Sequence, residues 1–140
     1  MAHSKTKVMQ HCREVVRDVL NVVEEKGDTY VAIHKDDDVE CVVLVTLIRT
    51  NPILSIVIAD KLLFDNRNAA AMYQAANELN TESITGWHTV VLKDNSVIYM
   101  YRQCLWMSAD LERDHLLSIL LDCIAEYKIG RAHLSASEQT

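Results

Sequence analysis

The chain has 140 residues, 49% of them apolar, with three glycines and one proline. A chain of that length buries roughly two-thirds of its unfolded surface, so one domain forms without disulfide or metal staples. A formal charge of −6 argues against an electrostatic grip on nucleic acid, because clustered Lys and Arg supply most of that affinity.

No run reaches the ~18 to 20 uninterrupted apolar residues that a membrane span needs. Met1-Ala2-His3-Ser4-Lys5 leads into a charged amphipathic segment instead of a signal-peptide core. Both features point to the cytoplasm. There Cys12, Cys41, Cys104 and Cys123, each within an apolar pattern, are expected to serve as small buried hydrophobes.

From about Thr6 to Lys26, Val8, Cys12, Val15, Val16, Val19, Val22 and Val23 recur at three- and four-residue spacing. This predicts an amphipathic helix stopped at Gly27. Thr29 to His34 and the β-branched run Val39 to Ile48 flank the acidic turn Lys35-Asp36-Asp37-Asp38 and read as a hairpin. Both faces of the second run are apolar, as in a central strand covered on both sides. Pro52 opens a third strand, Ile53 to Ile58.

Asp65 or Asn66 can cap a second helix to about Leu79, with Ala69, Met72, Tyr73, Ala76 and Leu79 as its stripe. Trp87 to Leu92 and Val97 to Cys104 flank Lys93-Asp94-Asn95-Ser96, a strong short hairpin signal. Ser108 is a good cap for a last helix whose stripe is Leu117, Leu120, Leu121, Ile124 and Tyr127, with Gly130 ending it. The expected class is α+β, a five-stranded and mainly antiparallel sheet packed with helices. Residues 1–130 make the domain, and 131–140 form a flexible polar tail.

Chemistry is sparse in this pattern. Metal sites announce themselves by close Cys or His pairs, and none occurs. No glycine-rich phosphate loop or catalytic-serine elbow is present, and the Asp36 to Asp38 run lacks the spaced oxygens, Gly and distal Glu of a calcium loop. No cofactor, catalytic residue or metal ligand is therefore assigned. A small enzyme or ligand-binding domain would have to draw on His88, Cys104 and His115. Apolar surface is what remains. Trp87, Tyr99, Tyr101, Trp106 and Met107 gather in the last hairpin and the turn after it, and such side chains are enriched at protein interfaces. They are the expected partner-binding residues, with core packing the competing role, for Tyr99 and Tyr101 above all and for Trp106 and Met107 as well.

The α-β-β-β-α-β-β-α order resembles that of class I type III secretion chaperones and of the related YbjN-like family, named as bacterial sensory transduction regulators. The resemblance covers nearly the whole chain. It rests on Ala76-Asn77-Glu78-Leu79-Asn80, on Gly86-Trp87-His88-Thr89-Val90-Val91, and on Asp94-Asn95-Ser96-Val97-Ile98-Tyr99. Asp36-Asp37-Asp38 stands where an effector chaperone would carry a glycine-punctuated hairpin, which favours the YbjN-like side. The resemblance implies a homodimer without enzymatic activity that binds a partner polypeptide. In the secretion chaperones an effector segment wraps the dimer and sometimes adds a strand to the sheet.

Overall fold

Valine is a mediocre helix former and a good strand former, and the valine-rich N-terminal pattern divides accordingly. In the computed structural model, which describes residues 5–37, 39–62, 68–94 and 96–138, helix α1 (Lys5–Val19) buries Cys12, Val15 and Val16. Strand β1 (Val22–Lys26) follows, although Val22 and Val23 continue the helical spacing. Lys26 pairs with Thr29, so Gly27, at φ +60°, is the first of two loop residues. That is where a type II′ hairpin turn demands glycine. Gly27 turns a hairpin instead of ending a helix.

The meander continues through β2 (Thr29–Lys35), β3 (Glu40–Ile48) and β4 (Ile53–Leu62). Helix α2 (Ala69–Glu82) leads to the hairpin β5 (Trp87–Lys93) and β6 (Ser96–Trp106), and α3 (Arg113–Glu138) closes the domain. Asp94 takes the left-handed backbone of the hairpin turn at φ 56°, which Asp tolerates better than most residues. The class is α+β as expected, but the sheet has six strands, ordered β1-β2-β3-β4-β6-β5, with every neighbouring pair antiparallel.

The helices depart from the expected stripes by about one position. The caps expected at Asp65 or Asn66 lie outside the described residues, and α2 buries Met72, Ala75 and Ala76 while Tyr73 stays exposed. Ser108 Oγ accepts the Asp110 N–H at 3.0 Å, so it organises a turn ahead of α3 and not the helix itself. In α3 Leu116, Leu120, Cys123, Ile124 and Tyr127 face inward, and Leu121 faces out.

Helix α3 passes through Gly130 and runs on to Glu138, with Leu134 completely buried. The polar tail expected from residue 131 is therefore helical and packed as far as the described residues go. Gly130 is needed for a close crossing, since a Cβ there would overlap the Tyr99 hydroxyl and lie 2.8 Å from His88 Nδ1.

The core joins all three helices to one sheet face: Tyr30 and Ala32 of β2, Cys41, Val43, Val45 and Leu47 of β3, Leu54, Ile56 and Ile58 of β4, Val90 of β5, and Val97, Tyr99 and Tyr101 of β6. Helix α1 packs against β3, α2 against β5, and α3 against β4 and β6.

Candidate functional site

Side chains alternate across a strand, so the residues between those core positions define the opposite face. It carries Val31 and Ile33, Val42, Leu44, Thr46 and Ile48, Ile53, Ser55, Val57 and Ala59, Ile98, Met100, Arg102, Cys104 and Trp106, and Trp87, Thr89 and Val91. An antiparallel sheet with one wet face normally reads apolar inward and polar outward. Here the outward positions are mostly apolar as well, and among the described residues no helix covers them.

Trp106 is 70% exposed and Trp87 42%. Val57 is buried although it lies on this face and outside the cluster formed by the core side chains. Monomeric proteins rarely leave a contiguous apolar surface of this kind open to water.

Lys35 and Glu40 lie at one end of this face, and Arg102 sits nearer its middle. The register aligns Glu24, Val31, Leu44, Val57, Arg102 and Trp87 in a single row across all six strands. The Arg102 guanidinium carbon lies 5.9 Å from the Trp87 ring centroid, a cation–π contact. Arg102 Nε is buried and has no hydrogen-bond partner among the described residues.

Of the five aromatic and methionine side chains singled out from the sequence, only the two tryptophans reach this surface. Tyr99 and Tyr101 have no exposure and Met107 is buried, so in this fold they pack the domain. The reason is strand phase: Tyr99 and Tyr101 share the core face with Val97, while the tryptophans occupy the other face. Tyr99 stacks on Tyr127 at 5.2 Å and on His88 at 5.9 Å, with Tyr101 tilted against His88 at 5.0 Å. His88 Nδ1 lies 2.6 Å from the Tyr99 hydroxyl. Burial holds the His88 pKa below the ordinary histidine value and pushes the Tyr99 phenol well above its own.

His88, Cys104 and His115 do not converge. His88 pairs with Tyr101 and faces the core, Cys104 is exposed on the open face beside Arg102, and His115 is exposed in the first turns of α3. The remaining thiols are poor nucleophiles, because burial pushes Cys41 up to about 11 and Cys123 to about 12.

Asp36 works as a turn cap and an ion-pair centre. It accepts the Val39 N–H at 3.0 Å and contacts His34 Nε2 at 3.1 Å and the Lys128 ammonium. Asp38 lies outside the described residues, and among the described residues no three metal-ligating side chains cluster.

Both sheet edges carry features that discourage strand addition. Asn80, at the end of α2, donates from Nδ2 to the His88 carbonyl at 2.9 Å and accepts the His88 N–H on Oδ1 at 2.6 Å. Its amide thus occupies two polar groups of the edge strand β5 as another strand would. The opposite edge, β1, is short, bulged between Val22 and Glu24, and carries Glu24, Glu25 and Lys26.

No helix among the described residues is long and apolar enough to cross a membrane. No protein-family model matches the chain, and no curated relative matches it in sequence. Among solved structures the chain is similar to YbjN of E. coli, described as a candidate transcription regulator, with a TM-score of 0.67 over 94% of this chain and 92% of that one at 11% identity. So low an identity transfers no residue roles, but the agreement spans nearly both molecules: the chain has the YbjN fold.

Proposed function

We propose that this chain is a non-catalytic, cytoplasmic protein-binding module, chaperone-like or regulatory, that works as a homodimer and binds a partner polypeptide. The observation that carries the reading is the uncovered apolar sheet face, with Trp87 and Trp106 standing out of it. Aromatic side chains in such a setting are the usual anchors of protein association. The description of YbjN as a candidate regulator and the resemblance to secretion chaperones both support a binding role.

The test is solution mass by light scattering across a dilution series, with Trp106→Ala beside the wild type. The expected result is a wild-type mass near twice 15.9 kDa and weaker association of the variant, with an unchanged circular dichroism spectrum. A strict monomer at every concentration would overturn the homodimer, and collapse of the Trp106→Ala fold would place that side chain in the core.

A further inference from the structure

The open face presents a specific charge pattern for whatever covers it. We infer that it is covered by a second copy of this chain, in a two-fold sandwich whose axis runs parallel to the strands, between β3 and β4. The inference rests on the homodimer reading above and specifies its interface.

Area comes first. Five strand spacings of about 4.8 Å give a width of about 24 Å, and strands of five to eleven residues, about eight on average, rise about 27 Å. The footprint is roughly 650 Å² a side, toward the lower end of what a standard stable interface buries per partner.

Charge then selects the axis. Two sheets packed face to face lie about 10 Å apart, and a two-fold that relates them must lie in the plane between them. An axis across the strands, along the row from Glu24 to Trp87, would set Arg102 over the Arg102 of the second copy and bury like charges. An axis along the strands reverses the row. Leu44 then covers Val57 of the second copy, and Arg102 covers Val31, one strand from Glu24 of the second copy.

A lateral step of about 4.8 Å and a gap of about 10 Å put the two Cα atoms roughly 11 Å apart, within the combined reach of an arginine and a glutamate. Arg102, whose Nε has no hydrogen-bond partner among the described residues, gains a carboxylate. Glu24, exposed on β1, gains a cation. Symmetry makes the pair twice. The same axis places Ile33 over Met100 and Ile48 over Ile53, so apolar rows meet apolar rows.

The experiment is charge exchange on the full chain, read by sedimentation equilibrium. Arg102→Glu and Glu24→Arg should each raise the dimer dissociation constant about tenfold or more. The double variant, and an equal mixture of the two single variants, should associate nearly as the wild type does, since both pairs become complementary again.

Circular dichroism checks each fold, and Arg102→Gln serves if Arg102→Glu fails to fold; it should weaken association without rescue by Glu24→Arg. Maleimide labelling of Cys104 should slow as wild-type concentration rises through the dissociation constant. A monomeric wild type would sink both the dimer and this interface. A dimeric wild type whose single variants associate normally, or whose mixture fails to recover, would overturn this interface and leave the dimer standing.

Discussion

Gly130→Ala tests the packing of the last helix against the sheet. Inside an ordinary helix this change stabilises by about 0.5–1 kcal/mol. At this crossing the added methyl would overlap the Tyr99 hydroxyl and lie 2.7 Å from Tyr99 Cζ and 2.8 Å from His88 Nδ1, where carbon contacts prefer about 3.5–4.0 Å. Tyr99 has no room to yield, because it is stacked between His88 and Tyr127 and its hydroxyl is 2.6 Å from His88 Nδ1.

Overpacking of such a site costs about 1–3 kcal/mol. Overlap with a hydroxyl that cannot yield puts the cost in the upper half of that range, so after the helical gain is subtracted the net loss is about 1–2.5 kcal/mol, or a fall of roughly 3–10 °C in melting temperature. Thermal and urea unfolding by circular dichroism measure it. Tyr99→Phe alone strands His88 Nδ1 at a cost of about 1–3 kcal/mol, yet it removes the overlapping atom. The double variant should therefore lose less than the two single changes added together, by about 0.5 kcal/mol or more. A Gly130→Ala protein that melts at or above the wild type would refute the close crossing.

Stability should also fall with acid through His88. Burial depresses its folded-state pKa below the ordinary histidine value, so the unfolded chain binds more protons. The contribution is then complete above the unfolded pKa of about 6.5 and is lost as pH falls through the folded one. Urea midpoints between about pH 7.5 and 5 should drop less for His88→Gln than for the wild type; equal slopes would exclude His88 as the cause. Leu134→Ala should cost about 2–4 kcal/mol because Leu134 is fully buried, whereas Leu121→Ala, at a position 54% exposed, should cost under about 1 kcal/mol. Equal small losses would mean that residues 131–138 do not pack. Asn80→Ala strips both side-chain hydrogen bonds from His88 and should lose about 1–3 kcal/mol; light scattering should show concentration-dependent aggregation through the opened edge, and a soluble, equally stable variant would contradict that.

The sequence made the α+β class, the β2–β3–β4 meander and the last hairpin legible, because strand alternation and turn residues are local signals. Val22 and Val23 were misread since valines at helical spacing also suit a strand, and only the pairing with β2 decides between them. Gly130 was misread because a helix interior tolerates glycine when another side chain needs the space, and Tyr99 lies 31 positions away.

The open face escaped for a related reason. Apolar residues on both sides of β3 read as burial on both sides, whereas the three helices among the described residues lie on one. Trp87 and Trp106 reach the surface, but the strand phase that separates them from Tyr99 and Tyr101 needs the register. The row that joins Glu24 to Arg102 crosses five strands and has no trace in local sequence.

The two ways a sheet can bind a polypeptide are along an edge and across a face, and the edges here are poor candidates. At β5 an added strand would compete with Asn80, whose amide holds the His88 N–H and carbonyl at 2.6 and 2.9 Å. At β1 it would meet a bulge and the charges Glu24, Glu25 and Lys26, devices that natural sheets use to discourage pairing. The Asn at the end of α2, part of the stretch on which the family resemblance rests, therefore has a physical task as an edge plug. With Asn80 on His88 at one edge, a bulge and charges at the other, and the described helices on one side, the remaining large apolar surface is the open face. Association through it leaves backbone hydrogen bonding unchanged and is driven by apolar burial, so it should weaken on cooling and respond to face residues such as Leu44 and Trp106 far more than to edge residues.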